Sequence, residues 1–448
     1  MEENILTTKP IPALIRQIAI PASIGFFFNT MYNVVDTYYG SMISTQAVAA
    51  MSLSFPVFFV IIAMGSGIST GTSALISHAL GEGKKDEAKK YLSQAIVFTV
   101  LISIILTILG WLSGTFLATL LGATGEYLTM TLSYINVIFG GVVLFALSFV
   151  LNASLTSQGD TKTFRNFLIF GFFLNLILDP WFMSGGFGLP ALGLPGLAYA
   201  TLVVQLFSVM YMGYKSIKSG ILCKNCWSMF KPEKKYFTQI SQQAFPASLN
   251  MMTMAIGIFI ITYFISSYGK EAVAAYGIAT RVDQIFLLPT IGLNIASLTL
   301  IGQNNGAKKY DRVREAYHKN LKYGFWTIVI GMTLVLLFAK YLMQFFSHDP
   351  MVINTGVHYL KISAFTYFTY MILSISISAL QGLKKPTFAI WVGLYRQLLA
   401  PAVIFWLLAR VLGWGLSGIW WGIFLINWSA AIFTLLYTRR YLKHKLAN

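Results

Sequence analysis

Apolar residues in this chain gather into long uninterrupted runs separated by short polar stretches. The runs fall at about 14–40, 47–79, 93–121, 127–156, 164–183, 194–217, 238–267, 272–303, 323–346, 353–380, 387–410 and 415–438. As α-helices they are long enough to cross a bilayer core of ~30 Å. Lipid offers a backbone no hydrogen-bond partner, so a spanning segment must be a helix or part of a closed barrel. Continuous runs, rather than alternation of apolar and polar positions, select the helix. The pattern predicts an all-α polytopic membrane protein with twelve transmembrane helices.

The polar stretches alternate in character. Basic residues crowd around Lys84, Lys85, Lys89 and Lys90, around Lys162 and Arg165, and through 215–235. They recur through 308–322, at Lys384 and Lys385, and through 439–445. The intervening loops, such as 41–46, 122–126 and 184–193, carry almost none. Because Lys and Arg remain on the cytoplasmic side of membranes, both termini are expected in the cytoplasm. Glu2 and Glu3 stand where a secretory leader would be positive, and the first apolar stretch is long, so no cleavable signal is read. The expected setting is the cytoplasmic (inner) membrane of a prokaryote.

The two halves echo each other. Ala19-Ile20-Pro21-Ala22-Ser23 returns as Ala244-Phe245-Pro246-Ala247-Ser248, and Ala47-Val48-Ala49-Ala50 as Ala272-Val273-Ala274-Ala275. Gly83-Lys84-Lys85 is echoed by Ala307-Lys308-Lys309, Gln158-Gly159 by Gln381-Gly382, and Leu194-Pro195-Gly196-Leu197 by Leu416-Ser417-Gly418-Ile419. The order is kept, which marks an internal repeat. The expected organisation is an N-terminal six-helix lobe over 1–218, a basic cytoplasmic linker over 219–236 and a C-terminal six-helix lobe over 237–448. Repeats of equal orientation are a transporter architecture, with substrate bound between them.

Composition agrees: 56% of residues are hydrophobic and 10% charged, against roughly 25% charged in soluble proteins. The net charge of +17 invites a nucleic-acid reading. Its scatter over alternate loops, without a recognition motif, argues for topology instead. Cys223 and Cys226 are the only cysteines. With no second ligand pair for zinc and no thioredoxin-like context, they read as free loop thiols.

Three acids fall inside spans: Asp36, Asp179 and Asp283. A carboxylate at membrane depth costs ~3 kcal/mol or more, so such residues usually serve a purpose. Counting back from Asp36 at helical spacing gives Asn33, Tyr32, Asn29, Gly25 and Pro21 on one face, which suits a wet cavity or a helix contact. Asp179 follows Asn175 by one turn and precedes Pro180. Spans one and five run in the same direction, so both carboxylates reach a similar depth. Their repeat positions hold Ile261 and about Ala400, beside the matching Pro401. The acids thus belong to the first half alone. They can form one cation site or neutralise Arg281, Lys361 or Arg396. Asp283 follows Arg281 by two residues, so the two need not pair; structural, gating and substrate roles stay open for it.

The aromatic and thioether residues of spans one and seven, among them Met31 and Met254, can line a pocket or pack against lipid. Gly65, Gly67 and Gly71 read as close helix packing. No phosphate-binding G-x-x-x-x-G-K-[ST] occurs, which excludes that route to ATP.

Together these features resemble the multidrug and toxic compound extrusion (MATE) family over essentially the whole chain. The most specific parts are the face from Pro21 to Asp36, Asn175-Leu-Ile-Leu-Asp179-Pro180 and Gly196-Leu-Ala-Tyr-Ala-Thr201. The resemblance implies two six-helix lobes exchanging a xenobiotic against Na⁺ or H⁺. In DinF-like members the first lobe holds the cation, here at Asp36, Asn175, Asp179 and Thr201 with Tyr134. NorM-like members place acids in spans seven and ten, where this chain has Met254 and the acid-free stretch 374–378. The departure favours the DinF-like branch. A substrate pocket is assigned to Asn29, Met31, Tyr32, Asn33, Phe172 and Met254, and a hinge to Pro21.

The expected activity is antiport: export of small cationic or amphipathic organic molecules in exchange for H⁺ or Na⁺. Hard oxygen ligands suit Na⁺, and a desolvated carboxyl can carry a proton instead. No catalytic residue, resident cofactor or nucleic-acid partner is expected. The partners are a small-molecule substrate and the lipid bilayer, for a chain functional as a monomer. The alternatives are a flippase for an anionic lipid-linked oligosaccharide, using Arg281, Lys361 and Arg396, and an intramembrane enzyme, for which the histidines lack mid-span positions.

Overall fold

The computed structural model describes residues 4–186, 188–223 and 226–444. Twelve spans follow in order: α1 (Ile11–Ile43), α2 (Thr45–Gly81), α3 (Lys85–Leu120), α4 (Gly125–Gly140 and Val142–Thr156), α5 (Lys162–Ser184) and α6 (Leu194–Lys218). The second half holds α7 (Lys234–Ser266), α8 (Lys270–Gly306), α9 (Tyr310–Phe346), α10 (Pro350–Gly382), α11 (Thr387–Val411) and α12 (Gly415–His444). A helix of 37 residues such as α8 is about 55 Å long, so it projects well beyond a hydrocarbon core of ~30 Å.

Span α4 bends by 44° between its two parts. Carbonyls near the break find side-chain donors on α3: Thr107 donates to Phe139 O at 2.7 Å, and Trp111 to Asn136 O at 3.1 Å. This is how a broken helix is tolerated where lipid cannot help.

The chain divides into two compact units, and the division is not at the linker. One unit holds the chain up to Ser23 together with everything from Leu249; the other is Ile24–Ser248. Each half's first helix therefore belongs to both units. The change falls two residues after Pro21 in α1 and two residues after Pro246 in α7, the same position in the repeat. Within each unit a proline-containing stretch packs on a glycine. A Cβ at Gly67 would stand 2.6 Å from Ser248 N, and one at Gly292 would stand 2.9 Å from the Ala19 carbonyl carbon. The glycines expected to serve close packing in span two do so here.

The expected linker is a fastened part of the first-half unit. Gln94 on α3 donates to Met229 O at 2.7 Å and Lys231 O at 2.6 Å, and accepts from Glu233 N at 2.9 Å. Lys90 pairs with Glu233 at 2.6 Å. The other unit holds the start of the chain in a similar way: Lys309 donates to Thr7 O at 2.9 Å and Arg312 to Lys9 O at 2.6 Å. Cys223 and Cys226, expected as free thiols, are joined in a disulfide. Their Cα separation of 5.5 Å lies in the range such a bond requires.

Backbone caps give the repeat its register. Lys84 N bonds to Ala79 O and Lys309 N to Asn304 O; Asp160 N bonds to Leu155 O and Lys385 N to Leu380 O. Each second-half residue stands 225 positions after its first-half counterpart. Gly159 thus matches Lys384, so the Gln-Gly echo seen in the sequence is two residues out of structural register. The left-handed position of these caps is glycine in the first half and lysine in the second: Gly83 and Gly159, then Lys308 and Lys384.

Candidate functional site

Four helices of the Ile24–Ser248 unit bring six polar side chains together. Asp36 and Tyr32 lie one turn apart on α1, Asn175 and Asp179 one turn apart on α5, Tyr134 on α4 and Thr201 on α6. Asn175 and Asp179 are wholly buried and Thr201 is 6% exposed. Asn175 Nδ2 donates to Asp179 Oδ1 at 2.8 Å. The Asp36 carboxyl faces both Asp179 and Asn175, Tyr32 faces Thr201, and Tyr134 lies close enough to feel both carboxylates. Thr201 donates its own hydroxyl to Leu197 O at 3.0 Å, one turn back.

Four oxygens in this cluster are buried without a hydrogen-bond partner: Tyr32 OH, Asp36 Oδ1, Asn175 Oδ1 and Asp179 Oδ2. Neither aspartate is in an ion pair among the described residues. Two facing carboxyls with no counter-charge are costly in a desolvated setting. A proton shared between them, or a small hard cation held by the four oxygens, removes that cost. The residues present fit either.

The structure thus gathers all five residues expected at the cation site, and adds Tyr32, which was expected in the substrate pocket. Its signal was in the sequence: Tyr32 is one turn before Asp36. The remaining pocket residues of α1 and α5 range from half-buried to exposed. Met31 and Phe172 are half-buried, and Phe172 packs edge-on against Phe28 at 5.6 Å. Asn29 and Asn33 are exposed, and Asn33 donates to Asn29 O at 2.8 Å within its own helix. Met254 belongs to the other unit, where it lines a cavity with Arg396. Pro21 is buried within an unbroken α1, two residues before the helix passes from one unit to the other.

Asp283 has a different environment. Tyr359 donates to its Oδ2 at 3.0 Å, and Tyr367 and Ser363 donate to its Oδ1 at 2.6 and 3.2 Å. All three donors come from α10, so this carboxylate is a satisfied tie between α8 and α10. Of the roles left open for it, the structural one matches this geometry.

The family model described as MatE matches residues 21–181 and again 246–406. The matches begin at Pro21 and Pro246 and are set 225 residues apart, the register of the caps. This chain belongs to the MatE family. A MatE protein is a membrane transporter and not an enzyme. The FAD transporter of Shewanella oneidensis is 28% identical over 88% of this chain and 87% of its own length. The multidrug export protein MepA of Staphylococcus aureus is 25% identical over 79% of this chain and 78% of its own. A solved outward-facing multidrug resistance MATE family transporter superposes with a TM-score of 0.91 at 23% identity, covering 100% of this chain and 99% of that one.

Proposed function

We propose that this MatE transporter exports small amphipathic or cationic organic molecules from the cytoplasm in exchange for Na⁺ or H⁺. In this reading the coupling ion binds at Asp36 and Asp179, as in the DinF-like branch. The observation that carries it is the pair of uncompensated carboxyls at Asp36 and Asp179, beside the unpartnered oxygens of Tyr32 and Asn175. The activities named for the relatives, multidrug export and FAD transport, support an organic cargo.

The chemistry follows from charge. With the site empty of cation, two carboxyls repel and α1 is pushed away from α5. A bound Na⁺ or proton removes the repulsion and draws Asp36 and Tyr32 toward Asn175 and Asp179. Pro21 removes one backbone hydrogen bond from α1 at the level where the helix changes unit, so the outer part of the helix can move separately. For one charge, a membrane potential of 100 mV supplies ~2.3 kcal/mol, enough for roughly fifty-fold accumulation. Both termini lie in the cytoplasm and the membrane is the prokaryotic inner membrane.

The test is transport in proteoliposomes. A fluorescent organic cation is followed while a Na⁺ gradient and a pH gradient are imposed separately, for wild type and for Asp36→Asn. Movement driven by one gradient and abolished by the substitution is the expected result. Undiminished gradient-driven export by both Asp36→Asn and Asp179→Asn would refute the proposal.

A further inference from the structure

The repeat places a second site opposite in character to the first. In the C-terminal unit the counterparts of Asp36 and Tyr134, 225 positions on, are Ile261 and Tyr359. Span α11 contains a π-helical turn at Tyr395–Leu399, and one extra residue shifts the register beyond it. The glycines confirm the shift: a Cβ at Gly196 would strike the Phe182 carbonyl, and one at Gly418 would strike that of Leu408, 226 positions after Phe182. Asn175 and Asp179 therefore correspond to Pro401 and Phe405, and the match of Pro180 with Pro401 is about one helical turn out. Gly196 with Gly418 sets Thr201 against Ile423. All five counterparts line one small cavity. It contains no acid, and its one full charge is Arg396, inside the π turn.

Arg396 and Gln397 also line an adjoining cavity of 160 Å³, with Asn250, Asn294, Gln381 and Ser378 around it and no Asp or Glu. Gly393 and Gly257 allow the close approach. A Cβ at Gly393 would lie 2.9 Å from Asn250 Oδ1, and one at Gly257 would collide with the Gln397 amide. Among the described residues Arg396 makes no ion pair or hydrogen bond; it lies over the Tyr370 ring at 5.2 Å. The buried acid of this bundle, Asp283, is occupied by its three hydroxyl donors. π turns inside α-helices are frequent at functional sites, and an unpaired guanidinium among amides is a fork for an oxyanion.

We infer that the cavity at Arg396 binds the phosphate or carboxylate group of an organic anion, held by the guanidinium and by the amides of Asn250 and Gln397. The volume is below that of a pocket for a whole drug-sized ligand, so it receives the charged end of a larger molecule. The inference rests on the export reading only for the use made of the bound anion; binding itself does not depend on a coupling ion. It deepens that reading by adding amphiphiles with an anionic end to its cargo.

The test compares two ligands that differ by one phosphate. Full-length protein in phosphatidylcholine nanodiscs is titrated with flavin mononucleotide and with riboflavin, with no gradient imposed, and binding is read from flavin fluorescence. Wild type is expected to bind the phosphorylated flavin at least about tenfold more tightly, the scale of a charge-assisted pair. Arg396→Gln is expected to erase that preference, and Arg396→Lys, which keeps the charge without the fork, to retain part of it. Asp36→Asn is expected to leave it intact, so failure of the coupling proposal and failure of this one are read separately. Equal binding of the two flavins, or a preference that survives Arg396→Gln, overturns the inference. Adding phosphatidylglycerol to the discs separates two sources of the anion. Competition with the phosphorylated flavin identifies a lipid headgroup, and its absence a soluble anion; both require the Arg396 site.

Discussion

Asn175 donates to Asp179 across one turn of α5, at 2.8 Å, while Asn175 Oδ1 and Asp179 Oδ2 have no hydrogen-bond partner. The bond fixes the orientation of a carboxyl that faces Asp36. A residue that orients an acid has consequences distinct from those of the acid itself.

Replacing Asn175 by Leu removes the donor and one unpartnered oxygen while leaving both acids. Apparent affinity for the coupling ion is expected to fall about tenfold, the scale of one hydrogen bond to a charged group. Maximal transport at saturating ion should fall less. Ion-titrated transport in proteoliposomes checks this; an unchanged half-saturating concentration would place Asn175 outside the site.

The Asp283 tie should matter for stability more than for coupling. Asp283→Ala strands two buried tyrosine hydroxyls on α10 and leaves Ser363 only Leu360 O, and is expected to cost ~3 kcal/mol, with Asp283→Asn milder. Thermal unfolding in detergent measures the loss. The half-saturating coupling-ion concentration of the surviving protein should match wild type, which separates this acid from Asp36 and Asp179.

Gln94 fastens the segment after the disulfide through three hydrogen bonds. In Gln94→Leu two carbonyls and one N–H lose their partner, and the basic stretch at Lys231, Lys234 and Lys235 should open more often. Trypsin cleavage there is expected to accelerate about tenfold, since removal of buried partners costs ~1–3 kcal/mol. An unchanged cleavage rate would mean that the salt bridge of Lys90 and Glu233 holds the segment unaided.

Lys308 and Lys384 occupy left-handed backbone at φ 56° and 59°, where the first half uses glycine. A side chain there costs roughly 1–2 kcal/mol. Lys308→Gly is expected to raise the unfolding temperature, and Gly83→Ala to lower it. A fall on Lys308→Gly would show that the lysine side chain makes a compensating contact.

The sequence by itself determined the number of spans, the repeat and the three intramembrane acids. The physical reason is lipid: a spanning helix must be apolar for a set length, and a charge inside it stands out. The face carrying Asp36, Tyr32 and Pro21 was legible because helical spacing is local. Tertiary structure decided everything that depended on partners. It assigned Tyr32 to the carboxylate cluster, and it divided α1 and α7 between two units after their prolines. It satisfied Asp283 with hydroxyls from α10, distant in sequence. It also placed Arg396 in a π turn, whose extra residue shifts the repeat register of the rest of α11 by one. Hydrogen-bond register inside a helix is set by packing against neighbouring spans, and residue type alone leaves it open.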